Sequence, residues 1–280
     1  MNAIEIKGLC KTRGRFRLDN ISIDVPEGCI MGLVGENGAG KSTTIQLLLD
    51  IIKKDSGKIV IFGKELTAES NDIKNDIGVV LDEPCFPDAL KATAINKIMK
   101  NVYTNWDEEA FYGLLKRFDI DENKKFKALS KGMKMKLSIA VALSHNAKLL
   151  ILDEPTSGLD PVIRDEIVEI LYEFTRNPTH SILISSHIVS DLEWLCDYIA
   201  FIHKGKLLLC DEKDRLLEKY CVVHCSAEEL SAIRSDAIKS KKESPYGVEA
   251  IVERYAVPHG MEISAVGVEE LFVAVIRGEK

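Results

Sequence analysis

The sequence predicts an α/β protein with a mostly parallel core sheet, and two observations carry this prediction. The apolar run Ile30 to Val34 leads into a glycine-rich loop, Gly35 to Ser42, and a helical pattern follows from about Lys41 to Ile52. Further apolar runs alternate with helical patterns in the second half of the chain, which is typical of parallel strands joined by helices. An N-terminal antiparallel β layer, an inserted helical subdomain and a small C-terminal α+β accessory domain complete the predicted architecture.

The N-terminal layer is predicted from alternation. Ile4 to Ile6 and Ile21 to Val25 alternate as half-buried antiparallel strands do, with the charged segment Lys11 to Arg17 between them. Gly57 to Gly63 predicts another strand, and Ile77 to Leu81 a buried one.

The hydrophobic period changes between about residues 82 and 146. Apolar residues recur there at helical spacing, and we predict helices over Ala92 to Tyr103 and Asp107 to Phe118. Acidic residues open the second helix, where they face the positive end of its dipole. A third amphipathic helix, Gly132 to Ser144, follows Ser130. This region is the predicted helical subdomain.

Strand patterns return after it. Leu149 to Leu152, Ser181 to Ser185 and Tyr198 to Ile202 predict strands, and Pro161 to Phe174 and Ile188 to Cys196 predict the helices between them.

The C-terminal region carries weaker signals. We expect a short strand, Lys206 to Cys210, a helix, Glu212 to Tyr220, and a polar link, Lys239 to Pro245. The main domain is therefore predicted over residues 1–210, and residues 211–280 are predicted to form an accessory region without a catalytic motif.

Composition narrows the class of protein. A net charge of −7 argues against sequence-independent nucleic-acid binding, which needs a basic surface. No apolar stretch of membrane-spanning length occurs, and the first residues are typical of a strand rather than a signal peptide. Seven scattered cysteines suit free thiols in a reducing cytoplasm.

The glycine-rich loop predicts a triphosphate site. Its sequence matches G-x-x-x-x-G-K-[ST], in which backbone amides and the start of the next helix point at an anion. Lys41 would place its charge at the β- and γ-phosphates, and Ser42 would offer a hydroxyl to Mg²⁺. The alternative is a glycine-rich turn that binds nothing. The candidate nucleotide-binding residues of this segment are Gly35, Glu36, Asn37, Gly38, Ala39, Gly40, Lys41, Ser42 and Thr43.

A second candidate element is the apolar strand that ends at Asp153 and Glu154. A carboxylate at a strand tip beside a phosphate loop is suited to hold Mg²⁺, and we assign this role to Asp153. Glu154 would polarise the attacking water or accept its proton. Alternatively, two acids after a strand can simply cap the following turn.

The ordered set of motifs resembles the nucleotide-binding subunit of ATP-binding cassette (ABC) transporters. The phosphate loop (Walker A) is followed by Leu129 to Met133, by Asp153-Glu154-Pro155 (Walker B), by Ser157 to Asp160 and by a lone His187. The resemblance covers about Ile4 to Cys210. It implies a P-loop NTPase fold of the ABC type that hydrolyses ATP.

The resemblance also implies a dimer in which each ATP lies between one subunit's phosphate loop and the other's signature motif. Ser130 and Gly132 would then bind the γ-phosphate across the dimer, and Asp160 would organise the opposite site. His187 resembles the family's switch histidine, which orients Glu154. Taken alone, Ser130 is more simply explained as a helix N-cap, and His187 as a structural histidine.

Four positions depart from the family pattern. Lys131 and Met133 replace a glycine and a glutamine of the usual signature Leu-Ser-Gly-Gly-Gln, and similar forms occur among bacterial exporter-type (ABC-2 type) cassettes. Asp82 aligns with the usual magnesium-binding glutamine, in uncertain register. Arg13 aligns with the adenine-stacking aromatic residue, and Phe16 is the competing candidate.

The family resemblance implies a separate transmembrane permease and a second cassette, identical or related, as partners. We expect the permease to dock near Asp82 to Lys97, where Cys85, Phe86, Pro87 and Leu90 form an apolar patch, although these residues could equally be buried within the chain.

The predicted function is ATP-driven transport, with export inferred from the resemblance. The predicted location is cytoplasmic, on the inner face of the membrane. Alternatives are a soluble non-transport ATPase of the same family and a regulatory module that binds nucleotide without hydrolysis.

Overall fold

The computed structural model describes residues 1–67, 71–83, 86–245 and 247–278. The strands are β1 Asn2–Arg13, β2 Phe16–Pro26, β3 Ile30–Val34, β4 Ser56–Ile61, β5 Lys64–Glu65, β6 Ile77–Val80, β7 Leu149–Asp153, β8 Ser181–Ser186, β9 Tyr198–His203, β10 Lys206–Glu212, β11 Tyr220–Cys225, β12 Ile238–Ser244, β13 Gly247–Glu253 and β14 Glu262–Ser264. The α-helices are α1 Lys41–Leu48, α2 Asn71–Lys74, α3 Ala92–Val102, α4 Glu108–Arg117, α5 Lys131–Leu143, α6 Pro161–Phe174, α7 Val189–Leu195, α8 Lys213–Lys219, α9 Ala227–Leu230 and α10 Val268–Gly278. None of the helices in these ranges is both long and apolar enough to cross a membrane.

The core sheet has the strand order β10-β9-β3-β8-β7-β6. Its five strands from β9 to β6 run parallel, and only the edge strand β10 is antiparallel. The strands β3, β7 and β8 lie side by side and end at the same edge. Ligands of open α/β sheets bind beyond the carboxyl ends of the strands, so a ligand site is expected at the loops after these three strands.

The N-terminal layer is a separate antiparallel sheet with the order β2-β1-β4-β5. It packs on one face of the core sheet, and side chains of both sheets, among them Ile4, Ile21 and Leu33, share one buried cluster. The charged segment Lys11 to Arg17 is mostly strand, because β1 and β2 continue to Arg13 and from Phe16. The predicted antiparallel layer is therefore present, with longer strands than expected.

The inserted region is helical, as predicted. It contains α3, α4 and α5 and the short 3₁₀ helix Phe126–Ala128. Phe111 is fully buried among them. Phe86 and Leu90 are partly buried, and the Phe86 ring meets Phe126 edge to face, with the ring centroids 5.6 Å apart. Cys85, predicted to belong to the same apolar patch, lies outside the described residues.

The C-terminal region forms a third sheet with the order β12-β13-β11-β14. The expected polar link, Lys239 to Pro245, is wrong, because most of it belongs to strand β12 and pairs with β13. The physical reason is that β12 is an edge strand. Lysines on an edge strand discourage pairing with other chains. The resulting polar composition resembles that of a linker, so the sequence pattern does not predict a strand.

Candidate nucleotide site

The phosphate loop joins β3 to α1 at the carboxyl edge of the core sheet. Gly38 and Gly40 have φ angles of 80° and 121°, which side chains rarely adopt. At Gly35 a Cβ atom would lie 2.5 Å from the carbonyl oxygen of Ile202 on β9. A second support comes from Gly205, whose amide donates to the Ala39 carbonyl at 2.8 Å. These contacts explain the glycines of the motif and fix the loop against its neighbours.

A cavity of about 380 Å³ opens over this loop. Its wall includes the loop, the first turn of α1, the β1–β2 turn and one carboxylate from each of two other segments. The lining residues are Arg13, Phe16, Glu36, Asn37, Gly38, Gly40, Lys41, Ser42, Thr43, Asp82 and Glu154.

Lys41 is buried, with 4 % of its side chain exposed. Its Nζ donates to the carbonyl oxygens of Gly35 at 2.6 Å and Glu36 at 3.3 Å, and forms an ion pair with Glu154 Oε1 at 3.0 Å. The sequence-predicted cation and carboxylate therefore meet, although 113 residues separate them in the chain, the difference between positions 154 and 41.

Glu154 has a φ angle of 51°, in the left-handed region. Its Oε2 accepts two hydrogen bonds from His187, one from Nδ1 at 2.7 Å and one from the backbone amide at 3.2 Å. Because an ionised carboxylate can only accept, the His187 tautomer in this arrangement carries its proton on Nδ1. The glutamate is thus held between Lys41 and His187.

Ser185 is a site residue that the sequence analysis missed. Its hydroxyl donates to Asp153 Oδ1 at 2.5 Å and accepts from the Glu154 amide at 3.0 Å. The parallel register places Ser185 opposite Asp153. Only the order of the strands could have revealed this neighbour, since the sequence does not say that β7 and β8 are adjacent.

The adenine candidates Arg13 and Phe16 both line the cavity. Arg13 donates to the side-chain oxygen of Gln46 at 3.0 Å, while a Cβ atom at Gly40 would lie 3.1 Å from the Phe16 ring. Asp82 lies in the same wall as Ser42 and Thr43.

The signature residues form a second group that does not line this cavity. Ser130 caps α5 by accepting from the Met133 amide at 3.3 Å, and Asp160 caps α6 by accepting from the Ile163 amide at 3.1 Å. The two helix starts touch, since a Cβ atom at Gly132 would lie 2.4 Å from Ile163 Cδ1. Lys131, where the family has glycine, donates to the Ser157 carbonyl at 2.7 Å.

The fold and this site define a class: an α/β nucleotide-binding protein with a phosphate loop and an acidic strand tip beside it. Comparison with known proteins gives the family. The family model described as "ABC transporter" matches residues 18–157. A lantibiotic transport ATP-binding protein of Streptococcus pyogenes is 37% identical over 214 residues, covering 75% of this chain and 91% of the relative.

Two further comparisons agree. A bacitracin transport ATP-binding protein of Bacillus licheniformis is 40% identical over 193 residues, covering 68% of this chain and 63% of the relative. A solved ATP-binding subunit of an ABC transporter superposes with a TM-score of 0.70 and 26% identity, covering 76% of this chain and 91% of that chain. The chain belongs to the ABC transporter family, as an ATP-binding and ATP-hydrolysing subunit.

Proposed function

We propose that this chain powers export through a separate membrane permease, by closing on ATP as one of a pair of cassettes and reopening after hydrolysis. The observation that carries the proposal is the cluster of Lys41, Glu154 and His187 beside the phosphate loop. It combines a cation that can bind the phosphates, a carboxylate that can polarise the attacking water and a histidine that orients this carboxylate. A module that only binds nucleotide needs neither the carboxylate nor the histidine.

The residue roles follow from this geometry. Glu154 polarises the attacking water and takes up its proton. His187 keeps Oε2 occupied and so turns Oε1 toward the loop. When ATP enters, the Lys41 ammonium gives up its ion pair with Glu154 and binds the phosphates instead. The Glu154 carboxylate is then free to act on water. Backbone amides from Gly38 to Ser42 bind the phosphate oxygens.

The site also suits Mg²⁺. The candidate donors are the Ser42 hydroxyl and the carboxylates of Asp153 and Asp82, all hard oxygen ligands of the kind that Mg²⁺ prefers. When bound, the ion would neutralise charge on the β- and γ-phosphates. Ser185 occupies Asp153 Oδ1 and so orients this carboxylate.

We propose that Ser130, Gly132 and Asp160 act on the nucleotide of an opposing subunit. Their support is their separation from this chain's own cavity and their position at two helix starts, where Ser130 and Asp160 are exposed and where amides and a hydroxyl are available to an anion. The partner is a second cassette in head-to-tail contact, identical or related.

Mixed subunits test the paired arrangement. Lys41→Ala and Ser130→Arg proteins should each be inactive, whereas random pairing leaves one intact site in half of the dimers and restores up to about a quarter of wild-type phosphate release. If mixing restores nothing, Ser130 does not act across a dimer.

For the exported compound we propose a peptide antibiotic, because the relatives described above are named for lantibiotic and bacitracin transport. We further propose that the chain works at the inner face of the cell membrane, on a permease that contacts the helical region, and that residues 211–280 are an accessory region. Cells lacking the chain should become sensitive to such peptides. Wild-type protein should restore tolerance, and Glu154→Gln should not. Equal tolerance with and without the chain would rule this substrate class out.

A further inference from the structure

A buried carboxylate behind the site joins three segments. Asp191, in α7, has 3 % of its side chain exposed. It accepts a hydrogen bond from the Thr156 hydroxyl at 2.7 Å and forms an ion pair with Arg164. Thr156 is itself buried, with 2 % exposed. None of the three residues lines the nucleotide cavity.

Each member of this cluster follows a different site residue. Thr156 comes two positions after Glu154, and Arg164 lies one helical turn after Asp160, to whose carbonyl its amide donates at 3.1 Å. Asp191 itself comes four positions after His187. The carboxylate therefore connects the three segments on which the candidate chemistry depends.

The backbone at Glu154 needs such support. A non-glycine residue with a φ angle of 51° stores strain of about 1 to 3 kcal/mol and persists only where its surroundings hold it. Ser185 fixes the amide of Glu154 on one side. On the other side the chain turns, with the Ser157 amide donating to the Glu154 carbonyl at 3.1 Å, and Thr156 lies inside this turn.

Stability alone is a poor explanation for the ion pair between the buried Asp191 and Arg164, whose side chain is 29% exposed. Desolvating two charges often costs as much as their attraction returns, and apolar replacements are often neutral. A single carboxylate that ties the Glu154 turn to the helices after Asp160 and His187 fixes their relative geometry instead.

We propose that Asp191 is a positioning residue for ATP hydrolysis, acting through Thr156 to hold the left-handed turn at Glu154 against His187 and Lys41. Through Arg164 the same carboxylate sets the position of Asp160. The inference rests on the proposed role of Glu154 and adds the device that keeps Glu154 in place.

Thr156→Val tests it, because valine keeps the shape and removes only the hydroxyl. We expect kcat to fall about tenfold, with ATP affinity changed less than about twofold, since the loop and Lys41 are untouched. Thr156→Ser keeps the hydroxyl and should retain wild-type turnover. The control is Ser144→Ala, which removes a fully buried hydroxyl at the C-terminal cap of α5 that donates to the Ala140 carbonyl at 2.6 Å. It should lower the melting temperature without lowering kcat.

A second variant tests whether Thr156 acts through its contact with Asp191. Asp191→Leu, which removes both acceptor oxygens, should lower kcat by at least the same factor as Thr156→Val, and the double variant should be no worse than Asp191→Leu alone, since the Thr156 hydroxyl then has no acceptor left to lose. Unchanged kcat in Thr156→Val, or an equal loss in Ser144→Ala, would overturn the inference while leaving the proposed function intact. Absence of phosphate release from the wild-type protein would instead overturn the proposed function and this inference together.

Discussion

Lys41 shows how one side chain serves two partners. Its ammonium is buried against two carbonyl oxygens and the Glu154 carboxylate. A buried cation with a buried counter-ion is stable only as a pair, because either charge alone keeps its full desolvation cost. The same pairing that holds Glu154 here must loosen when phosphate oxygens compete for the ammonium.

At this scale we predict two separable effects of Lys41→Ala. ATP affinity should fall at least about tenfold through loss of the phosphate contact, and stability should fall by roughly 3 kcal/mol because the buried Oε1 of Glu154 loses its counter-ion. Adding Glu154→Gln should recover most of the stability and none of the affinity. Thermal unfolding and nucleotide titration measure the two effects. A double variant as unstable as Lys41→Ala would show that the ion pair is not the source of the loss.

Single residues also show what the sequence can predict. The sequence patterns predict that Lys41, Ser42, Asp153 and Glu154 lie at one sheet edge. This prediction was possible because motif spacing and strand ends are local signals. Ser185 was missed, and so were Thr156, Arg164 and Asp191. Their importance depends on contacts across 27 to 35 positions of sequence, and no local pattern encodes such contacts.

At the scale of elements, four of the described helices begin with side-chain caps. Asp107 caps α4, Ser130 caps α5, Asp160 caps α6 and Ser226 caps α9. The acidic residues from Asp107 predict a helix start there, and the structure adds that the Asp107 side chain caps this helix. For Ser130 the capping interpretation and the nucleotide interpretation are compatible, because the same hydroxyl can serve each in turn.

This pair of caps gives a matched prediction. Ser130→Ala and Asp107→Ala should each lower the free energy of unfolding by about 1 kcal/mol, through loss of one capping bond. Only Ser130→Ala should also lower phosphate release, since Asp107 is remote from the proposed dimer site. Loss of activity in both variants would mean that Ser130 matters as a cap alone.

The β9–β10 turn supports both the N-terminal sheet and the phosphate loop. Gly205 has a φ angle of 79°, donates to the Ala39 carbonyl and accepts from the Asp19 amide. A Cβ atom there would lie 1.8 Å from the Arg17 carbonyl oxygen, whereas at Gly14, with a φ angle of 59°, nothing lies within 4 Å.

Gly205→Ala should therefore cost roughly 3 kcal/mol or more, and Gly14→Ala only about 1 kcal/mol, from the left-handed backbone alone. Urea unfolding measures both values. Equal costs would show that the backbone near Arg17 moves aside without penalty.

Element boundaries were predicted best where a strand or helix is buried on the expected face. β3 and α6 have the predicted limits, Ile30 to Val34 and Pro161 to Phe174. The prediction for β12 was wrong because an exposed edge strand has no hydrophobic periodicity. The tertiary pairing with β13, which the local sequence does not contain, determines its structure.

At the scale of the molecule, the C-terminal region shares the main core. Phe272 of α10 meets Phe201 of β9 with ring centroids 5.2 Å apart, and both belong to the cluster that holds the helical region. Residues that contribute to one buried cluster are expected to unfold together.

Phe272→Ala should lower the free energy of unfolding of the whole chain by about 3 kcal/mol in a single transition. Its neighbour Val273, 40% exposed, is the control, and Val273→Ala should change stability by less than about 0.5 kcal/mol. Circular dichroism during urea unfolding measures both. An early separate transition of the C-terminal sheet would contradict a shared core.

The central claim is that one ATP is bound by the Lys41 loop and hydrolysed with the help of Glu154. Its most direct test is steady-state phosphate release together with ATP binding for wild type, Glu154→Gln and the control Glu169→Gln, an exposed acid on α6. Glu154→Gln should bind ATP as tightly as wild type and release phosphate at least about 100-fold more slowly, while the control should match wild type in both. Equal phosphate release by wild type and Glu154→Gln would contradict the claim.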